Sequence, residues 1–264
     1  WNLDRVGAPD CWDEGFTGQG IIVAHMDTGV NLGLGLLAGK WAGYWYDSIN
    51  GQPAPYDDNG HGTATISVLL DGDGHGPYPY DAGVAPGVTF VASKCLNHSG
   101  LGTTETMLDS LQWFADLKAT VDIRVLSAST GAYGASTDLW PAVETLKTIG
   151  IFPVFAIGNG GPNPETTAFP GNYPLTLGVG SSTSNDFVAS HSSRGPAPDL
   201  APWNAPNNWY TLDWNLIKPD LLAPGVGIAC LNLQGGYSYL DGTSVASPHV
   251  AGAAALLLSK NGSL

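Results

Sequence analysis

The chain has 264 residues, 43 % of them apolar and only 12 % charged, which is apolar enough to offset chain entropy in one sizeable domain or two small ones. Nine Lys and Arg against 23 Asp and Glu leave a net charge of −14, so the overall field repels phosphates and a nucleic-acid partner is excluded. The longest apolar stretch, Val250 to Leu258, falls far short of the roughly 20 residues needed to cross a bilayer, which removes a membrane span.

The opening Trp1-Asn2-Leu3-Asp4-Arg5 lacks an initiator Met and a charged-then-apolar leader, and is expected to start a mature form. Ile21 to Met26 reads as the first buried strand and runs into Asp27-Thr28-Gly29, which sets a carboxylate at its carboxyl end. In Asp57-Asp58-Asn59-Gly60-His61-Gly62-Thr63, His61 falls where a loop becomes a helix over Gly62 to Leu70. The flanking glycines allow another chain to approach the imidazole closely. Asp71-Gly72-Asp73-Gly74 resembles part of a calcium loop without its regular spacing and reads as a solvated turn.

Strands follow at Val88 to Cys95, Ile123 to Ala128, Ile151 to Ile157 and Leu175 to Val179. Helices are predicted over Thr104 to Leu117, where Met107, Leu108, Leu111, Phe114 and Ala115 keep helical spacing, and over Asp138 to Thr148. The third of these strands ends in Gly158-Asn159-Gly160-Gly161. Pro196 to Asn215, with Trp203, Trp209 and Trp214, reads as a long ordered surface loop. Asp241-Gly242-Thr243-Ser244-Val245-Ala246-Ser247-Pro248-His249 sets Ser244 at the start of an apolar helix through Leu258, where the helix dipole favours developing negative charge.

Alternation of helices with strands that are apolar nearly throughout predicts an α/β fold, a mainly parallel sheet covered on both faces by helices. No linker or repeat divides the chain, so residues 1–264 are read as a single domain. In such sheets ligands bind beyond the carboxyl ends of the strands, where the unusual residues fall. Cys11, Cys95 and Cys230 cannot all pair with one another and lack zinc-site spacing, and Cys95 and Cys230, in apolar runs, read as buried free thiols. His25, His75, His98, His191 and His249 read as structural or solvated, and no metal site is assigned.

Acyl transfer through a serine needs a base for the hydroxyl proton, a carboxylate to hold that base, and donors for the tetrahedral oxyanion. His61, Asp27 and Ser244 supply the base, the carboxylate and the nucleophile, and the Asn159 side chain with the Ser244 backbone N–H can donate to the oxyanion. An aspartic-protease reading of Asp27-Thr28-Gly29 fails because no second DTG or DSG occurs. Gly33-Leu34-Gly35 lacks the GxGxxG spacing of a dinucleotide loop.

These segments, in the chain order Asp, His, Ser, resemble the subtilisin-like serine proteases, whose order differs from that of unrelated serine hydrolases. Val84-Ala85-Pro86, Ser192-Ser193-Arg194-Gly195-Pro196, Lys218-Pro219-Asp220 and Ala223-Pro224-Gly225 are similar to segments across that family, and the opening WNLDRVGAPDCW resembles the start of mature secreted members. The resemblance implies a three-layer subtilisin-like fold and a secreted serine endopeptidase. Asp27 would orient His61, His61 would serve as base and then acid, Ser244 as nucleophile and Asn159 in the oxyanion hole, with no cofactor for the chemical step.

The resemblance also implies that a protein or peptide substrate adds as a strand between Ser99-Gly100-Leu101-Gly102 and Ser127-Ala128-Ser129, with Ala156, Ile157 and Gly158 beside it. Structural calcium near Asp71-Gly72-Asp73-Gly74 or Asp47, and a propeptide or separate C-terminal segment as partner, are expectations of the same kind. The sequence departs from the family where Ala64 replaces a second His, Ser67 a Gly, Ser129 a Gly and Ala128 a larger apolar residue. It also stops at Leu264, where relatives continue with another layer. A catalytically silent peptide-binding module and a peptide-ligating relative are the alternatives weighed.

Overall fold

Short runs of apolar residues bounded by glycine become stable strands only when both faces are covered, and this chain supplies the covering helices between them. The computed structural model describes residues 1–35, 37–72, 82–209 and 216–263. Its strands are β1 (Ile22–Asp27), β2 (Trp41–Asp47), β3 (Thr89–Lys94), β4 (Ile123–Ala128), β5 (Ala132–Tyr133), β6 (Phe152–Ala156), β7 (Ala168–Phe169), β8 (Leu177–Ser182), β9 (Leu221–Pro224), β10 (Ile228–Leu231) and β11 (Tyr237–Leu240). Its α-helices are α1 (Asn2–Arg5), α2 (Ala8–Asp13), α3 (Leu37–Lys40), α4 (His61–Leu70), α5 (Thr104–Leu117), α6 (Trp140–Thr148) and α7 (Thr243–Lys260).

Seven strands form one sheet in the order β2-β3-β1-β4-β6-β8-β9, every neighbouring pair parallel. β10 with β11 and β5 with β7 are short antiparallel pairs. Successive residues of a strand point to opposite faces, and the two cores follow that alternation. Val23 of β1 packs with Ile66, Leu69 and Leu70 of α4 and with Ala251, Ala255 and Leu256 of α7. Its neighbours Ala24 and Met26 pack with Met107, Leu111 and Phe114 of α5 and with Val143 and Leu146 of α6. The result is the three-layer α/β arrangement that the apolar strands predicted. Among the described residues no helix is long and apolar enough to cross a membrane.

Each predicted strand and helix is present, β4 and α5 with the predicted ends and the other strands with ends shifted by one to three residues. Strand β2 is not announced by an apolar run, because it lies at the sheet edge, Gly43 interrupts it and its middle faces solvent. The loop after Pro196 is less superficial than its composition suggests. Trp203 and Trp209 are buried in the α5–α6 core, the Trp203 Nε1 donating to Asn172 Oδ1 at 3.1 Å. Residues 210–215, with Trp214, and Asp73, Gly74 and His75 lie outside the described residues.

Cys95 and Cys230 are buried free thiols, and burial pushes the Cys230 thiol up to about 12 and the Cys95 thiol higher still, so neither is a ready thiolate. Ser67, the family departure on α4, donates to the Ala64 carbonyl at 2.7 Å and accepts the Leu231 N–H at 3.0 Å, tying α4 to β10. That departure acts on packing.

Candidate active site

Strand β1 delivers Asp27 to the sheet's carboxyl edge, fully buried, and α4 begins beside it with His61. The His61 Nδ1 stands 2.7 Å from Asp27 Oδ1. A carboxylate can only accept, so Nδ1 carries the hydrogen and the neutral ring keeps its lone pair on Nε2. Asp27 Oδ1 also accepts the Thr28 N–H at 2.7 Å, and Oδ2 accepts the Thr65 hydroxyl at 3.0 Å, so the carboxylate is held from both sides. The close approach of α4 requires Gly62. A Cβ there would stand 2.2 Å from the Gly29 carbonyl oxygen and 3.1 Å from Asp27 Cβ.

The turn that presents His61 is organised by Asp57, whose role the sequence did not single out. Its Oδ1 accepts from Thr28 Oγ1, Asn59 N and Gly60 N at 2.9, 3.1 and 2.8 Å. Its Oδ2 accepts from Thr63 N and Thr63 Oγ1 at 2.9 and 2.7 Å. A carboxylate taking the first N–H groups of a helix fixes where that helix starts, and here the first residue is His61. An Asp six residues before a Thr in the first turn of the predicted helix is the signal that could have found it.

Ser244 is the second residue of α7. The helix's early N–H groups bond back to Gly242, except that Thr243 N–H goes to Asn159 Oδ1 at 2.9 Å, and the Ser244 N–H takes no acceptor among the described residues. The Ser244 hydroxyl likewise takes no hydrogen-bond partner among the described residues. Pro248 removes the N–H that would meet the Ser244 carbonyl one turn on, and the Ser129 hydroxyl donates to that carbonyl instead, at 2.7 Å. Ser129 also meets Ser247 Oγ at 3.0 Å. The serine that replaces the family's glycine therefore couples the strand end to α7.

Asn159 follows β6 with its orientation set by α7. Its Oδ1 accepts both the N–H and the hydroxyl of Thr243, at 2.9 and 3.1 Å, and a backbone N–H demands an oxygen there, so the Nδ2 donors face the other way. A Cβ on Gly242 would stand 3.1 Å from Ser244 Oγ and 3.5 Å from Asn159 Nδ2, which places both groups around one gap. His61, Asn159 and Ser244 all line one cleft of about 230 Å³, with Leu96, Gly100, Ser129, Thr130, Gly131, Tyr133, Ala156, Gly158, Ala168 and Thr243.

Of the residues expected beside a substrate, Gly100, Ser129, Ala156 and Gly158 line this cleft. The side chains of Ser127, Ala128 and Ile157 are buried, Ala128 in the core under α5 and α6, and their backbones are already engaged, Ser127 and Ala128 between β1 and β6 in the sheet and Ile157 with Val179 and Ala168. Ser99, Leu101 and Gly102 are exposed at the rim. The N–H groups of Ser99, Gly100 and Leu101 all turn onto Asn97, whereas the Gly102 N–H has no acceptor among the described residues. The expected edge is a tight turn with one free donor. Tyr133, which the sequence did not single out, and Thr243, named there only as the residue before Ser244, belong to the cleft.

Burial opposes charge on His61, but the Asp27 carboxylate and the hydrogen bond to it prevail and raise its pKa above the ordinary 6.5. Burial likewise opposes charge on Asp27, yet His61 and the Thr28 N–H hold its carboxyl below the usual range. The raised His61 value stabilises the fold at pH below 6.5, and that contribution is lost as pH rises through the raised value, while the neutral base needed for proton abstraction appears over the same interval. Among the described residues, no other histidine lines the cleft. His25 is buried and lowered by burial. His249 is buried too, lowered to about 4, and donates from Nδ1 to the Val245 carbonyl at 2.7 Å.

The sequence pattern of the subtilase family, peptidase S8, matches residues 18–264. Bacillopeptidase F of Bacillus subtilis (strain 168) is 33 % identical over 295 residues, which takes in 100 % of this chain and 19 % of that protein. Alkaline elastase YaB of Bacillus sp. (strain YaB) is 32 % identical, over 99 % of this chain and 60 % of the relative. Subtilisin Savinase of Lederbergia lenta is also 32 % identical, over 99 % of this chain and 84 % of its own length. The chain thus spans about a fifth of the first relative and three fifths of the second. Among solved structures, Sphericase superposes with a TM-score of 0.76 at 29 % identity, over 94 % of this chain and 80 % of that one. A cold adapted subtilisin-like serine proteinase gives 0.73 at 31 % identity, over 93 % and 78 %. With the triad-type residues in family order and the family pattern running nearly end to end, the chain belongs to the subtilase family of subtilisin-like serine endopeptidases.

Proposed function

We propose that residues 1–264 form one peptidase domain that hydrolyses peptide bonds of proteins through an acyl-enzyme on Ser244. His61 Nε2 takes the hydroxyl proton as Oγ attacks the carbonyl carbon, and returns it to the leaving amine. Asp27 holds the ring and its cation. Asn159 Nδ2 and the Ser244 N–H receive the oxyanion. Water then attacks the ester by the same route in reverse. The observation that carries this reading is the 2.7 Å contact between Asp27 and an imidazole that shares one cleft with a serine hydroxyl unpartnered among the described residues. Secretion is proposed on the resemblance of residues 1–12 to a segment of secreted members, and a propeptide partner on the family resemblance alone.

The test is casein turnover followed by release of new α-amino groups as pH is varied. Hydrolysis is expected with an acid limb whose midpoint lies at or above 6.5, because the neutral imidazole is the active form and its pKa is raised. A rate flat over about pH 5 to 8 would remove His61 as the base. Products joined by new peptide bonds, without free amino groups, would assign acyl transfer instead.

The chemical step is proposed to need no cofactor. Of the two calcium candidates, Asp47 does not fit. Its Oδ1 accepts the N–H groups of Ile49 and Asn50, both at 2.9 Å, and its Oδ2 accepts from Gln52 N and Tyr56 Oη at 3.1 and 3.0 Å. Oxygens facing N–H and O–H dipoles are turned away from a cation's needs. Asp71 accepts from the Tyr237 hydroxyl, and among the described residues no three His, Cys, Asp or Glu are grouped to hold a metal. Asp73 and Gly74 of that second candidate lie outside the described residues, and calorimetry with and without EDTA tests it: a lower melting temperature in the chelator supports structural calcium there, and an unchanged one removes it.

A further inference from the structure

We propose that Tyr133 is a positioning and specificity-determining residue whose ring closes the primary side-chain pocket to all but small side chains while its hydroxyl holds the Asn159 backbone. The inference rests on the endopeptidase reading and deepens it by naming a substrate class, peptides with a small residue on the acyl side of the scissile bond.

Strand β5 pairs with β7 so that Tyr133 stands opposite Ala168, itself a cleft residue. From there the side chain reaches across to the segment after β6. Its hydroxyl accepts the Asn159 N–H at 3.1 Å. A Cβ added at Gly158 or Gly160 would stand 3.2 or 3.0 Å from the ring's Cε1, so the ring lies against this glycine backbone and uses the room that absent side chains leave. Tyr133 is 61 % exposed, so core packing does not dictate an aromatic residue there. What holds the ring is the hydrogen bond and the glycine surface, both at the site.

The pocket it closes is lined by Ser129, Gly131, Ala156 and Gly158. The whole cleft, catalytic groups included, is about 230 Å³, against roughly 300–1,000 Å³ for sites that enclose larger ligands. Its Ser129 hydroxyl is tied to the Ser244 carbonyl and to Ser247, so that wall does not yield readily. Tyr133, exposed and singly bonded, is the wall that can move. A bulky side chain must push the ring aside and break its bond to Asn159. Asn159 is then held only through Thr243, and its donor loses definition where the oxyanion forms. Substrate size is thereby coupled to turnover as well as to binding.

The experiment measures kcat and KM for the parent, Tyr133→Phe and Tyr133→Ala on peptides identical except for Ala, Leu or Phe before the scissile bond. The parent is expected to favour Ala. Tyr133→Phe keeps that preference and lowers kcat about three- to tenfold on every peptide with KM little changed, the loss of one hydrogen bond. Tyr133→Ala raises kcat/KM for Phe relative to Ala at least about tenfold, the scale at which a pocket contact discriminates. Should Tyr133→Ala melt early, Tyr133→Leu gives the same size readout. A parent that prefers Phe, or a Phe-to-Ala ratio that stays fixed in the shortened variants, overturns the proposal while leaving the endopeptidase reading intact. A folded parent that cleaves none of the peptides overturns both.

Discussion

Replacing Ser244 by alanine is expected to lower kcat on a peptide substrate about a million-fold, with KM little changed and the melting temperature preserved. The size of the loss is that measured for the equivalent serine in subtilisin, a member of the same family. The reason for an intact fold lies in this chain. The hydroxyl has no partner among the described residues, so its removal strands no buried donor or acceptor, and the Ser244 carbonyl keeps its bond from Ser129. The oxyanion donors and the cleft survive, so a residual rate of roughly 10³–10⁴ over water should persist. Adding His61→Ala to Ser244→Ala should cost almost nothing more, because the two act as one unit. Turnover within tenfold of the parent would mean that another group is the nucleophile.

Replacing Asn159 should separate two roles of one side chain. Loss of its Nδ2 donor is expected to lower kcat about 10²- to 10³-fold, roughly 2.7–4 kcal/mol, the magnitude known for the equivalent asparagine in subtilisin. Asn159→Leu also strands the Thr243 N–H, which belongs to a residue only 1 % exposed, at a stability cost of about 1–3 kcal/mol. Asn159→Asp restores the acceptor for Thr243 but offers charge in place of a donor. It should keep the melting temperature and lose the turnover. Kinetics and thermal melts on the two variants check this: a kcat that falls only together with the melting temperature would reduce Asn159 to a structural link.

What the chain announces and what it conceals follow from where each signal is carried. Asp27, His61 and Ser244 sit in local patterns, a strand end, a glycine-flanked turn and a helix start, and those patterns survive without tertiary information. The five predicted strands are legible for the same reason, since cover on both faces makes them apolar at most positions. Strand β2 is not, because Gly43 breaks its apolar residues, its middle faces water and its pairing with β3 is a long-range choice. The cleft's finer architecture is equally non-local. That Asn159 points its donors outward depends on Thr243, 84 positions along the chain. The bond that replaces a lost helix hydrogen bond at Ser244 comes from Ser129, 115 positions away. Neither pairing leaves a mark in either segment alone. Asp57 is intermediate, for its five donors are close in sequence except Thr28, yet an acidic residue in a turn has many other uses.

The most direct measurement is reaction of the folded protein with a fluorophosphonate, followed by peptide mass mapping. Stoichiometric phosphonylation on Ser244, lost in His61→Ala although that variant still melts cooperatively, is the predicted result. Folded parent protein that leaves Ser244 unmodified, or that is labelled equally well without the imidazole, would contradict the account.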